Sequence, residues 1–85
     1  MSEENNTPNN VVVLSDGRKA EFHPFKGKHT REAQKVSDGD SSKMIFAMIA
    51  VCCTIDGHKI VLEDLDDMPG GDVLKLQAKF SELNF

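Results

Sequence analysis

The longest apolar segment of the chain is the ten-residue run Met44–Cys53, which contains no polar side chain. Its length and its Met, Ala and Phe content favour a helix, whereas its Ile and Val and the closing Cys-Cys-Thr-Ile favour a strand. We predict a helix that ends at about Val51 and loosens beyond it. A helix that is apolar on every side must be buried all round or must meet another chain. With 85 residues the chain offers little material to surround it, so this run predicts an interaction protein.

A β-hairpin is predicted ahead of the apolar run. Val11–Leu14 is a short apolar stretch, Ser15–Arg18 contains the Asp-Gly turn signal, and Lys19–Phe25 alternates between polar and apolar positions. Residues 1–10 are polar and have nothing to bury, which predicts a disordered tail. The remaining residues, 11–85, are expected to form one small domain.

Two helices are predicted in the middle of the chain. Thr30 is a candidate N-cap for a polar helix over Arg31–Val36, which Ser37–Asp40 breaks. Ser41 or Ser42 would then cap the apolar helix.

The last third of the chain carries the clearest helical pattern. Ile60–Leu62 fits either a brief extended piece or the entry to an acidic helical turn at Glu63–Asp67. Asp72–Leu83 is predicted to be a helix, because apolar residues recur there at helical spacing. The predicted stripe consists of Val73, Leu76, Gln77, Phe80 and Leu83, widened by Leu74. The fold class is therefore α+β, with an N-terminal β-hairpin followed by three or so short helices packed together.

Charge and composition narrow the function classes. The net charge of −4 argues against nucleic acid as a partner, although the basic stretch at residues 18–35 keeps a small nucleic-acid-binding or regulatory module as the alternative. The apolar run is too short for a membrane span, which needs about 20 residues. It also lies mid-chain, unlike a signal peptide, so we expect a cytoplasmic protein.

No arrangement of residues predicts catalysis, a metal site or a cofactor. Cys52 and Cys53 are adjacent, which suits neither a mutual disulfide nor the wrapping of one zinc ion. An enzyme or metalloprotein built on these thiols and His58 is a further alternative, but apolar surroundings make a thiol inert. The acids of Glu63–Asp67 fit a solvated face or a docking patch for a basic partner.

The order of these pieces resembles the small tail assembly chaperones of tailed phages and prophages, the Mu-like tail assembly proteins in particular. A hairpin with Asp-Gly is followed by a polar helix with Arg31-Glu32-Ala33, an apolar helix, and the acidic turn Leu62-Glu63-Asp64-Leu65. The chain then ends with a Pro-Gly-x-Asp step and a final Leu-x-Leu-Gln-x-x-Phe helix within Met68–Phe80. The resemblance covers about residues 11–85, and the unusually hydrophilic polar helix departs from the family's pattern.

The resemblance implies a chaperone without catalysis that acts in the host cytoplasm. Such a protein binds the helical tape measure protein, keeps it soluble and brings tail tube subunits to it; self-association is a further possibility. The partner-binding residues expected on this interpretation are Met44, Met48, Ile49, Leu76, Phe80, Glu63, Asp64, Asp66 and Asp67. The apolar members suit either a core or an adaptable helix-binding groove, and the acids would steer a basic client.

Overall fold

Residues 8–85 are described by a computed structural model, and within them lie four strands and four α-helices. In chain order they are β1 (Val11–Val13), β2 (Lys19–Phe22), α1 (Gly27–Ser37), α2 (Met44–Cys52), β3 (Cys53–Ile55), β4 (His58–Lys59), α3 (Leu62–Asp66) and α4 (Gly70–Asn84). The strands form one antiparallel sheet in the order β1-β2-β3-β4. The predicted α+β class, with a hairpin followed by helices, is confirmed. No helix of this described part is both long and apolar enough to cross a membrane.

The second hairpin of the sheet was not predicted. The apolar run does not loosen after Val51 but continues as helix to Cys52 and passes directly into β3. There the chain pairs with β2, so that Ile55 lies opposite Ala20. Asp56 and Gly57 close the β3–β4 hairpin with φ angles of 50° and 83°, the left-handed conformation that a two-residue type I′ turn requires at both positions.

The starts of α1 and α2 differ from the prediction. The N-cap of α1 is Lys26 rather than Thr30, and the backbone N–H of Lys26 donates to Nδ1 of His29 over 2.9 Å. A 3-10 turn at Ser41–Lys43 precedes α2, and Asp40, rather than either serine, caps it by accepting from the backbone N–H of Ser42 at 2.9 Å. A short carboxylate before the turn satisfies an N–H group that would otherwise have no partner.

The predicted N-terminal tail, residues 1–10, includes a residue that belongs to the folded domain. Its first seven residues lie outside the described part of the chain. Asn10, which the prediction placed in the tail, makes two hydrogen bonds with Phe22 of β2. Its side-chain amide donates to the backbone carbonyl of Phe22 over 2.8 Å, and its backbone carbonyl accepts from the backbone N–H of Phe22 over 2.8 Å.

The sheet and α4 enclose the main core. Phe80 of α4 is fully buried, with its ring centroid 5.2 Å from that of Phe25 in an edge-to-face arrangement and 6.4 Å from that of Phe22. Val73 and Leu76 are buried beside it, as the helical spacing predicts. Leu74 does not widen this stripe, because its side chain is 66% exposed on the other side of α4.

The apolar helix α2 is covered by the domain itself. Ala33 of α1 and Ala47 of α2 are both 0% exposed, and these small side chains let the two helices pack closely. The opposite side of α2 faces the main core through Ile49 and Ala50. Across the run Met44–Cys53, all of it described, every side chain is buried or half-buried. Half of these ten side chains are only half-buried, so the domain covers most of α2, more than so short a chain was expected to cover, and leaves part of its apolar surface accessible.

A buried carboxylate joins α4 to the β1–β2 turn. Asp72 is 3% exposed, and its two oxygens accept from the backbone N–H and the hydroxyl of Ser15 at 3.0 and 2.8 Å. Asp72 also lies in the first turn of α4, where its negative charge interacts favourably with the positive end of the helix dipole.

Replacing Asp72 with Ala should lower the free energy of unfolding by about 1–3 kcal/mol, because both hydrogen bonds to Ser15 lose a charged acceptor. The measurement is the urea midpoint by circular dichroism. Asp66→Ala is the matched control, since it removes the same charge from an exposed side chain. Equal midpoints for the two variants would contradict the structural role of Asp72.

Candidate partner-binding surface

Three of the apolar residues predicted to contact a partner belong to the core. Ile49, Leu76 and Phe80 are each 0% exposed. A partner cannot touch them while the domain stays folded, so their assignment to a binding surface is wrong. Their helical spacing marked a buried face, and spacing alone does not tell whether the domain or another chain covers that face.

The two methionines lie at the seam between helices. Met44 and Met48 are half-buried and pack around the small cluster formed by Ala33, Ala47 and Leu62. The hydroxyl of Ser37 lies 3.8 Å from the sulfur of Met44, which places Met44 against the end of α1. Flexible methionine side chains fill this irregular seam, and only part of each surface remains accessible.

The acidic residues are exposed, as a docking patch requires. Glu63, Asp64 and Asp66 lie on α3 and Asp67 directly follows it. Asp64 has a structural task as well, because its Oδ2 accepts from the backbone N–H of Val61 over 2.8 Å at the start of the helix.

Two of these acids also border a small groove of about 460 Å³. Asp64 and Asp67 line it together with Asp56, and Arg18 and His58 contribute positive or titratable groups. Asp56 is engaged by the fold, since its Oδ1 accepts from the backbone N–H of Lys19 at 3.0 Å.

A larger groove of about 640 Å³ lies between α1, the end of α2 and the segment that runs from β3 to α3. Val51 and Ile60 are half-buried in it, whereas Val36 and Val61 are 41% and 58% exposed. Apolar side chains from three separate elements thus form one concave surface, which we call the valine groove.

Two apolar residues in polar surroundings hint at the valine groove in the sequence. Val36 is, with Ala33, one of two apolar side chains on an otherwise polar helix, and Val61 belongs to the short apolar piece before α3. Neither belongs to a periodic stripe, so their meeting depends on how α1 and α3 pack around α2.

The rim of the valine groove carries charges of both signs. Glu32 and Glu63 contribute carboxylates, and Lys43 and Lys59 contribute ammonium groups. An apolar floor with a mixed rim is complementary to an amphipathic helix, whose apolar stripe is bordered by charged residues.

The cysteines are free thiols held in apolar surroundings. Burial raises the pKa of Cys52 from 9.0 to about 11 and that of Cys53 from 9.0 to about 12. Protonated thiols are poor nucleophiles and poor metal ligands. Residues 8–85 contain no group of three or more His, Cys, Asp or Glu side chains placed to hold a metal ion.

The basic residues of the stretch 18–35 are divided between the first hairpin, which carries Arg18 and Lys19, and α1 with its N-cap Lys26. Arg18 lies in the first hairpin turn, where its Nε contacts the carboxylate of Asp16 at 2.6 Å. Lys28, Arg31 and Lys35 are exposed on α1.

Comparisons of the chain with models of protein families, with curated proteins and with solved structures found no match.

The raised thiol pKa values predict how stability depends on alkaline pH. Above about pH 9 the unfolded chain loses thiol protons that the folded domain keeps until about pH 11–12. Since the folded state then binds more protons, the free energy of unfolding falls as pH rises through this window. Urea midpoints across that range should fall less steeply in Cys53→Ala than in the wild type. Equal slopes of urea midpoint against pH for the two proteins would contradict the raised pKa of Cys53. Rapid reaction of the native thiols with a disulfide reagent at neutral pH would contradict their burial.

Proposed function

We propose that this protein is a tail assembly chaperone of a phage or prophage, which binds the tape measure protein in the host cytoplasm and helps to recruit tail tube subunits. The proposal starts from the order of motifs along the chain, from the Asp-Gly hairpin to the final helix. The observation that carries it in the structure is the valine groove, an accessible apolar concavity on a domain whose core is complete.

The groove suits a helical client. A tape measure helix presents an apolar stripe that would aggregate when bare, and a groove floored by Val51 and Ile60 can cover part of such a stripe. Val36 and Val61, at 41% and 58% exposure, are the side chains that would lose most contact with water on binding. The half-buried Met44 and Met48 contribute to the seam behind the groove rather than to its floor.

The acids of α3 have a different task in this proposal. Glu63 stands on the rim of the groove, and Asp66 and Asp67 are exposed nearby in sequence. Exposed charges at the edge of an interface act mainly on the rate of encounter, because solvent and salt screen them. They would therefore steer a basic client segment toward the groove without contributing much of the affinity.

Val61→Asp should weaken binding of the tape measure protein at least about tenfold, because a carboxylate among the apolar side chains of the groove must be desolvated on binding. The test is co-expression with the tape measure protein of the same phage, followed by pull-down and by measurement of the soluble client fraction. Val13→Asp is the matched control: Val13 is 49% exposed and lies on β1, outside the groove. Absence of co-purification with the wild type, or equal losses in both variants, would overturn the proposal.

Asp66→Asn combined with Asp67→Asn should slow association with the client and flatten its dependence on salt, while the dissociation rate stays close to that of the wild type. Stopped-flow or surface-binding kinetics at low and moderate salt would measure both rates. A change confined to the dissociation rate would contradict a steering role.

A further inference from the structure

The start of α1 is held by a histidine that can act only while its ring is neutral. The backbone N–H of Lys26 donates to Nδ1 of His29 over 2.9 Å. A backbone N–H can only donate, so Nδ1 must be the acceptor and the ring proton must be on Nε2. The imidazolium form carries a proton on both nitrogens and has no acceptor, so protonation of His29 removes this hydrogen bond.

His29 occupies a helix position at which other side chains usually accept. With Lys26 as the N-cap, His29 is the third residue of α1, which is the place of Glu or Gln in a capping box. Glu and Gln keep an acceptor oxygen at neutral and at mildly acidic pH. Histidine instead changes its charge between about pH 5 and pH 8, so a cap built on it depends on pH in that range.

A positive charge on His29 also meets an unfavourable field on its own helix. The first turn of α1 contains Lys28 and no acid, and the N-cap is Lys26. The positive end of the helix dipole lies at the same place. The one acid of α1 is Glu32, which is exposed, so water and salt screen its attraction for a charged ring. The ring of Phe25 stacks on the imidazole with centroids 6.1 Å apart, at the limit of a cation–π contact.

The elements that line the valine groove together with α1 do not compensate such a charge. Their charged and titratable groups are His23, Lys43, Lys59, Glu63 and the thiols of Cys52 and Cys53. The thiols stay uncharged at neutral and acidic pH, because burial raises their pKa values to about 11 and about 12. The set therefore holds two ammonium groups against one carboxylate, and it does not stabilise an added positive charge.

We infer that His29 is a pH-sensitive cap of α1, which holds the first turn of the helix above about pH 7 and releases it at about pH 5. His29, Glu32 and Val36 follow one another at helical spacing and all line the valine groove, so α1 forms one wall of it. Loss of the cap loosens that wall at the end where His29 lies. The cap belongs to the free domain, whereas weaker binding of a client in acid rests on the proposed function.

The other two histidines supply matched controls. Nε2 of His23 lies 3.0 Å from the hydroxyl of Thr54, and a hydroxyl can donate or accept, so this contact survives protonation of the ring. His58 is exposed on β4. Neither histidine lies on α1, so protonation of these rings should leave the first turn of α1 in place.

NMR of the free, isotope-labelled protein tests this inference without a client. Above about pH 7 the ring nitrogen shifts of His29 should show the tautomer with its proton on Nε2. Amide hydrogen exchange is then measured at about pH 7.5 and about pH 5, with each rate divided into the unfolded rate at the same pH. The resulting protection factors at residues 30–33 should fall about fivefold in acid, which is the usual effect of losing a cap. Those in the middle of α4 should change less than about twofold.

His29→Gln keeps an acceptor at the same place and does not titrate, so its α1 protection factors should be equal at the two pH values. His23→Gln and His58→Gln should retain the fall of the wild type. A wild type without the fall, a fall that persists in His29→Gln, or one that disappears in either control would overturn the inference. So would an equal mixture of His29 tautomers at neutral pH, or a fall that α4 shares to the same extent. No client is present, so the result is separate from that of the client pull-down.

Discussion

The structure depends on one constraint, which is the need to cover a nine-residue helix that is apolar on every side. The chain meets it with two layers. The small side chains Ala33 and Ala47 bring α1 against one side of α2, and the sheet with α4 covers the other. The end of the helix follows from the same constraint, because the chain leaves α2 at Cys52 and immediately becomes β3, which keeps the remaining apolar residues inside the core.

The orientation of α4 decides which of its residues are core and which are surface. The hydrogen bonds of the buried Asp72 with Ser15 fix the start of the helix at the first hairpin turn, and Phe80 fixes its other half against Phe22 and Phe25. With these points held, the rotation of the helix about its axis is determined. Leu74 must then face outward, and no property of its side chain distinguishes it from Leu76, which faces inward.

The sequence was most informative where local patterns were strong. The Asp-Gly hairpin, the acidic turn and the buried stripe of α4 depend on short-range periodicity and turn chemistry, and all were predictable. The strand β3 was predictable only in part: Cys-Cys-Thr-Ile favours a strand locally, but its pairing with β2 is a long-range condition that the local pattern does not contain. The prediction of apolar partner-binding residues was partly wrong for a related reason. Ile49 and Phe80 have the composition of an interface core, and only the packing of the whole domain shows that their partners lie within the same chain.

The completeness of this core changes what kind of partner-binding protein the chain can be. Had α2 been left bare, folding and client binding would be coupled, and the free protein would expose a large apolar face before meeting its client. A domain that buries α2 by itself can fold first and bind afterwards, through side chains such as Val36 and Val61 whose exposure is tolerable in a soluble protein. Affinity would then come from a modest apolar contact, and release would require no unfolding. If the proposed chaperone has to release its client, a shallow groove on a folded domain is a better physical solution than an uncovered helix.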